Sequence, residues 1–243
     1  MIQDGRTSTL IQNDFNVKIL VYGPPGSGKT WFGSTFPDPY FISKDRGLLG
    51  LAAAGKDVGY TFIDTYEDAM LALQQIQNGR RAKGARSIIF DNLTFMTDPI
   101  VQLVKERHGK GAKINAMGMN RELWGVAADY VRQLLEAFLK LADDFHVCMI
   151  VHEQVEKDER TDEFIGNPNT IGKLAGYIGG YFDLFLYAKQ DILRQEGKKI
   201  KTWKLNSIKY GAFNAKDLVG VLDPEEPNDF SVVYDKIAGK LSK

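Results

Sequence analysis

The chain has 243 residues, 44% of them hydrophobic and 26% charged, enough to bury one substantial core. Its 31 basic and 31 acidic residues cancel, so composition gives no basic footprint for a nucleic-acid partner, and any such claim must rest on local features. A single cysteine, Cys148, excludes an internal disulfide; with no secretory leader and no run of the ~18 apolar residues that a membrane span needs, the cytoplasm is the expected compartment.

Residues 1–16 read as an N-terminal extension and 17–243 as a single domain. "VKILVY" (17–22) is continuous and rich in β-branched residues, as a strand covered on both faces should be. A glycine-rich turn and a short helix stopped near Pro37 follow it. "PYFIS" (39–43) and "YTFID" (60–64) predict two further strands. "YEDAMLALQQIQNG" has helical apolar spacing, with Gly79 as its stop signal. "SIIFD" (87–91) predicts a strand and Thr97 to about Arg107 a helix, after which the glycine-rich, basic "HGKGAKINAMGMN" predicts a loop.

"RELWGVAADYVRQLLEAFLKLADD" predicts a long amphipathic helix, with Trp124, Ala128, Val131, Leu135, Phe138 and Leu141 facing a sheet. "HVCMIVH" (146–152) predicts a buried strand and "EKDERTDEFIGNPNT" a polar loop. A helix is expected at 171–180, strands near 182–188, a hairpin around Glu196–Gly197 and a weak helix in the tail. Strands alternating with helices predict a parallel, doubly wound α/β sheet.

"GPPGSGKT" matches the phosphate-cradle pattern G-x-x-x-x-G-K-[ST] in full, between a predicted strand and a predicted helix. Gly23, Pro24, Pro25, Gly26, Ser27 and Gly28 would bring backbone N–H groups onto phosphate oxygens, with Trp31 just beyond the cradle. Lys29 would reach the β- and γ-phosphates, and the Thr30 hydroxyl would hold Mg²⁺. Asp91, ending an apolar strand, is the second expected Mg²⁺ ligand. Asn92 stands where chaperone-like AAA+ ATPases carry a glutamate, which turns the search for a general base to the neighbouring strand. There "YFISKDRGLLGL" offers Asp45, for which a turn acid beside Lys44 and Arg46 is the competing reading.

Together these elements resemble the ATPase core of RecA-type recombinases, in particular short phage-encoded relatives that act in single-strand annealing or recombination. The similarity covers roughly residues 17–215. It implies a RecA-like P-loop NTPase core: a doubly wound, mostly parallel sheet with helices on both faces and a C-terminal antiparallel hairpin. In that likeness "FISKDRGL" places Asp45 at the catalytic glutamate, one methylene shorter. "IVHEQV" places Gln154 at the γ-phosphate sensor, with His152 and Glu153 as flanking alternatives. "FIGNPNTIGKLAGYIGGYFDL" resembles the segment closing the second DNA-binding loop.

The resemblance implies ATP and Mg²⁺ as cofactors. It implies single-stranded DNA, further copies of the chain in a ring or filament, and a single-stranded-DNA-binding protein as partners, in the host cytoplasm if phage-encoded. The first DNA loop would offer Lys110, Lys113 and Arg121; the second, residues 155–172, would offer Lys157, Arg160, Asn167 and Asn169. Lys209 and Lys216 are the candidates for a cation supplied in trans. A helicase-like or helicase-loading ATPase and, more distantly, a small-molecule phosphotransferase are the competing readings.

Overall fold

In the computed structural model the described residues are 15–109, 118–157, 162–195 and 198–241. Lys110, Lys113, Arg160 and the expected hairpin tip at Glu196–Gly197 lie outside them. In chain order the elements are β1 (Lys18–Gly23), α1 (Lys29–Gly33), β2 (Pro39–Ser43), α2 (Leu49–Ala53), β3 (Gly59–Phe62), α3 (Tyr66–Gln77), β4 (Ser87–Asp91), α4 (Thr97–His108), α5 (Arg121–Leu139), β5 (His146–Lys157), β6 (Phe164–Pro168), β7 (Leu184–Gln195), β8 (Lys198–Asn206), β9 (Lys216–Asp217), β10 (Glu225–Pro227) and α6 (Phe230–Leu241).

The sheet runs β10-β8-β7-β1-β5-β4-β2-β3, with β6 added to β5 and β9 to β7. From β3 to β7 every pairing along that path is parallel, and β8 and β10 then close the edge antiparallel. β1 lies in the middle and is apolar nearly throughout because both of its faces are covered. Leu20, Tyr22 and Phe90 face a core built with α3, α4 and α5. Ile19, Val21, Ile89 and Ile150 face the other, closed by Phe32 of α1, Leu51 of α2 and Phe230, Val233 and Ile237 of α6. Cys148 is wholly buried there, so its thiol is inert packing. This is the mostly parallel α/β fold expected of a P-loop NTPase core. Among the described residues no helix is long and apolar enough to cross a membrane.

Several expectations need correction. β5 does not end at His152 but continues to Lys157, and with β6 it forms an antiparallel hairpin where a polar loop was expected. The segment expected to be helical at 171–180 forms two short 3₁₀ turns, Gly172–Gly176 and Ile178–Tyr181. In α5 the first two turns bury Leu123 and Ala127, while Trp124 and Ala128 ride on the shoulder of the helix. The buried line therefore starts one residue earlier and joins Val131, Leu135 and Phe138 at helical spacing. α3 begins at a capping box in which Thr65 accepts from the Asp68 N–H and Asp68 accepts from the Thr65 N–H.

The end of the sheet opposite the phosphate-cradle turn carries a pH-sensitive joint. The Val17 N–H donates to His146 Nδ1 at 3.2 Å, and the ring packs edge-on against Phe230 and Tyr234 of α6. Burial, and then the charge of Arg86, push the imidazole down to about 4. The unfolded chain binds the proton more readily, so this contribution is intact above pH ~6.5 and disappears as pH falls towards 4. A loss of about 1–2 kcal/mol over that window is expected, after allowance for the partly solvated ring. Thermal melts of wild type and His146→Asn between pH 4 and 7.5 check this: the wild type should lose several degrees more on acidification than the variant.

Candidate functional site

The turn between β1 and α1 has the conformation that its glycines alone permit. Gly26 and Gly28 have φ of +80° and +84°, in the left-handed region where a Cβ is strained. A Cβ on Gly28 would also stand 2.6 Å from the Trp203 ring and 2.7 Å from Asn228 Nδ2. These two residues brace the cradle from the far end of the chain: Trp203 Nε1 donates to the Gly26 carbonyl at 2.9 Å, and Asn228 Nδ2 to the Gly28 carbonyl at 3.0 Å. Lys29 is buried and folds back, its Nζ donating to the carbonyls of Gly23 and Pro24 at 2.9 and 2.8 Å. Burial lowers its ammonium to about 8, against the pull of Asp91, Glu153 and Asp45.

Strand register aligns the acidic groups. Ser43 of β2 lies beside Asp91 of β4, Asp91 beside Ile150 of β5, and His152 beside Gly23 of β1. Thr30 Oγ1 donates to Asp91 Oδ2 at 2.8 Å, so the two expected Mg²⁺ ligands already touch. Asp91 is only 2% exposed, and burial raises it to about 6, with Asp45 adding to the rise and the Thr30 bond and Lys29 opposing it. Two residues past the end of β2, Asp45 lines the same cleft, although its Oδ1 also accepts from the Gly47 N–H at 2.7 Å. Both readings of Asp45 thus coexist in one geometry: it forms a turn and faces the cleft. Asn92 is buried and its Oδ1 accepts from the Phe95 N–H at 3.0 Å, so the residue after Asp91 organises the turn into α4.

The cleft encloses about 650 Å³, within the ordinary range for small-molecule sites. Lys29, Thr30, Asp45, Asp91 and His152 form its polar half; Trp31, Leu51, Ala54 and Trp203 form an apolar wall. Burial, and then Lys29, lower the His152 imidazole. This leaves His152, rather than Gln154, as the sensor candidate lining the cleft. Gln154 pairs with Asn167 in the hairpin. Glu153 accepts from the Tyr187 hydroxyl at 3.0 Å.

The residues expected to touch a polymer are scattered. Arg121 is exposed at the start of α5. Lys157 is exposed on the hairpin and pairs with Asp162. Asn167 accepts from Asn214 Nδ2, and Asn169 is tied through its backbone to His152 and Thr94. Both asparagines therefore help hold the base of the hairpin. Lys209 is exposed. Lys216 instead donates to the carbonyls of Gly179 and Phe182 of its own subunit. Sequence reasoning passed over Phe164, an aromatic beside the charged run and 63% exposed on the hairpin. It also missed Trp203 and Asn228, for which no local signal existed.

The donor set suits a nucleotide with Mg²⁺. Among the described residues no three His, Cys, Asp or Glu side chains cluster to cage a metal. Mg²⁺ at a phosphate site does not need such a cage, because one carboxylate, one hydroxyl, substrate oxygens and water complete its shell. A buried carboxylate and a buried ammonium, each displaced towards neutrality, are the groups that a cation and a polyphosphate would relieve. The sequence profile of a family described as an AAA domain matches residues 15–217. No curated protein matches the chain.

Proposed function

The chain belongs to this AAA domain family, of P-loop ATPase type, and on that premise we propose that it is a Mg²⁺-dependent ATPase that grips single-stranded DNA as a ring or filament and promotes annealing or recombination. Asn92 does not count against such a domain, since Asp45, two residues past the adjacent strand β2, lines the cleft and would be available to activate water. When bound, Mg²⁺ would supply positive charge to offset that of the phosphates. Thr30 and Asp91 would hold it, exchanging their mutual hydrogen bond for the metal. Lys29 would leave the carbonyls of Gly23 and Pro24 for the phosphates. Asp45 would take a proton from the attacking water, and His152 would hydrogen-bond at the γ-phosphate end.

The observation that carries the DNA half of this reading is the continuity of β5. One strand bears His152 in the cleft and runs on without a break to Lys157 at the described end of the hairpin. Five residues of strand span about 17 Å, so a nucleotide-dependent shift at His152 would be transmitted along a hydrogen-bonded ribbon. Exposed Phe164 and Val155 would give that ribbon a stacking surface, and Lys157 would leave its pair with Asp162 for a phosphate.

The test is ATP turnover with and without single-stranded DNA, with light scattering for assembly and Lys29→Ala as the inactive control. Stimulation by DNA and growth of the assembly with ATP are expected. A monomer that neither binds nor responds to DNA would defeat the recombination reading and leave the ATPase. Phe164→Ala should weaken single-stranded-DNA binding about tenfold, the worth of one stacked base, in fluorescence anisotropy. Its unstimulated ATP turnover should be unaffected.

A further inference from the structure

The apolar wall of the cleft bears on nucleotide choice. Trp31 directly follows Thr30, and Trp203 comes from β8; their ring centroids are 5.8 Å apart with planes inclined by 38°. That spacing leaves no room for a third ring between them, so the pair makes one continuous surface rather than a slot. Trp203 is fixed against the cradle by its bond to the Gly26 carbonyl, which uses its only donor. Leu51 and Ala54 of the α2 region extend the surface, and the flexible Lys56 ammonium lies 5.0 Å above the Trp31 ring. The charged side chains that line the cleft, Lys29, Asp45 and Asp91, are the groups already assigned to phosphate, metal and water.

We propose that the nucleobase packs on the Trp31–Trp203 wall and that the site selects purines by stacking area without distinguishing adenine from guanine. The inference rests on the nucleotide reading of the cradle and adds the identity of the base subsite. Adenine and guanine differ in the order of donors and acceptors along their edges, and telling them apart needs at least two fixed polar partners. Among the four side chains of the wall itself, Trp31, Leu51, Ala54 and Trp203, Trp31 Nε1 is the one donor left uncommitted. A single donor can orient a base but cannot read that order. Stacking, in contrast, is indifferent to edge chemistry and grows with ring area. ATP and GTP should therefore bind alike, and CTP less well.

Three tryptophans are present, and Trp124 lies on α5 in the other core, so Trp124→Phe leaves only the wall to report. In that background, fluorescence is followed during titration with the Mg²⁺ complexes of ATP, GTP, CTP and inorganic tripolyphosphate, and affinities are measured by calorimetry. ATP and GTP should quench the indoles and bind within about threefold of one another, with tripolyphosphate about tenfold weaker. Trp31→Leu should reduce ATP affinity about tenfold while leaving that for tripolyphosphate in place, and Trp31→Phe should lie between the two.

A preference for ATP over GTP beyond about thirtyfold, about 2 kcal/mol, or tripolyphosphate binding as tightly as ATP, overturns the wall. So does an equal loss of both ligands in Trp31→Leu. The wild-type comparison of four ligands stands even if a variant fails to fold. Binding by none of them would overturn the nucleotide reading itself, a different failure from tripolyphosphate matching ATP.

Discussion

Asp91→Asn should give a protein that is more stable and inactive. The carboxylate is buried to 2% exposure and its proton affinity is raised to about 6. The folded chain therefore holds this proton more tightly than the unfolded chain, for which the side chain titrates near 3.9. Stability from this group is present at low pH and is lost as pH rises from about 4 to 6. Above pH 6 the ionised carboxylate costs the fold about 3 kcal/mol at most. An amide is isosteric, can still accept from Thr30 Oγ1 and carries no charge. Asn at this position should therefore raise the apoprotein's Tm at pH 8 by roughly 2–4 °C for each kcal/mol recovered, with the gain gone by pH 4.

The same change removes the anionic partner for Mg²⁺, and ATP turnover should fall by about a thousandfold or more. Calorimetric melts at the two pH values, beside steady-state ATP hydrolysis, read both effects. A variant less stable than wild type at pH 8 would mean that the attraction of Lys29 outweighs desolvation, contrary to the order of causes at this carboxylate. A site that destabilises its own empty fold is also a site that ligand binding stabilises, and this is why activity and stability oppose one another here.

Much of this geometry could be anticipated because the signals were local. β1, β2 and β4 are covered on both faces, so each appears in the sequence as an unbroken apolar run. The cradle's residues are contiguous and function through their own backbone. The β5–β6 hairpin was hidden because the buried positions of β6 are Gly166 and Pro168, which give no apolar alternation to betray it; its strands carry Glu153, Glu156 and Lys157 as readily as a loop would. α2 is five residues long, too short for periodicity to register. The bracing of the cradle was out of reach altogether, since Trp203 lies 177 positions from Gly26 and Asn228 lies 200 from Gly28. Lys216 resembled a free cation because sequence does not show that two carbonyls, those of Gly179 and Phe182, would claim its ammonium.

Asp45→Asn should separate chemistry from binding. The carboxylate lines the cleft close enough to Asp91 to raise its proton affinity, but it touches neither the cradle nor Thr30 Oγ1 by hydrogen bond. Losing its charge should leave ATP affinity within about twofold, while kcat falls by roughly 10²–10⁴, the range for a missing general base. The amide can still accept from the Gly47 N–H, so the turn survives and a mere folding defect would appear as lost affinity. Asp45→Glu adds the methylene that the recombinase resemblance leads one to expect. If reach limits the present residue, kcat should rise above wild type; if the Gly47 bond fixes the carboxylate where water attacks, it should fall. His152 is the rival, because it too lines the cleft and burial keeps it neutral, able to accept a proton. His152→Asn should alter the affinity for ATP relative to ADP, as befits a group at the γ-phosphate end, and cost kcat far less than Asp45→Asn. Should the two variants exchange those signatures, the base is the imidazole and Asp45 is only the turn.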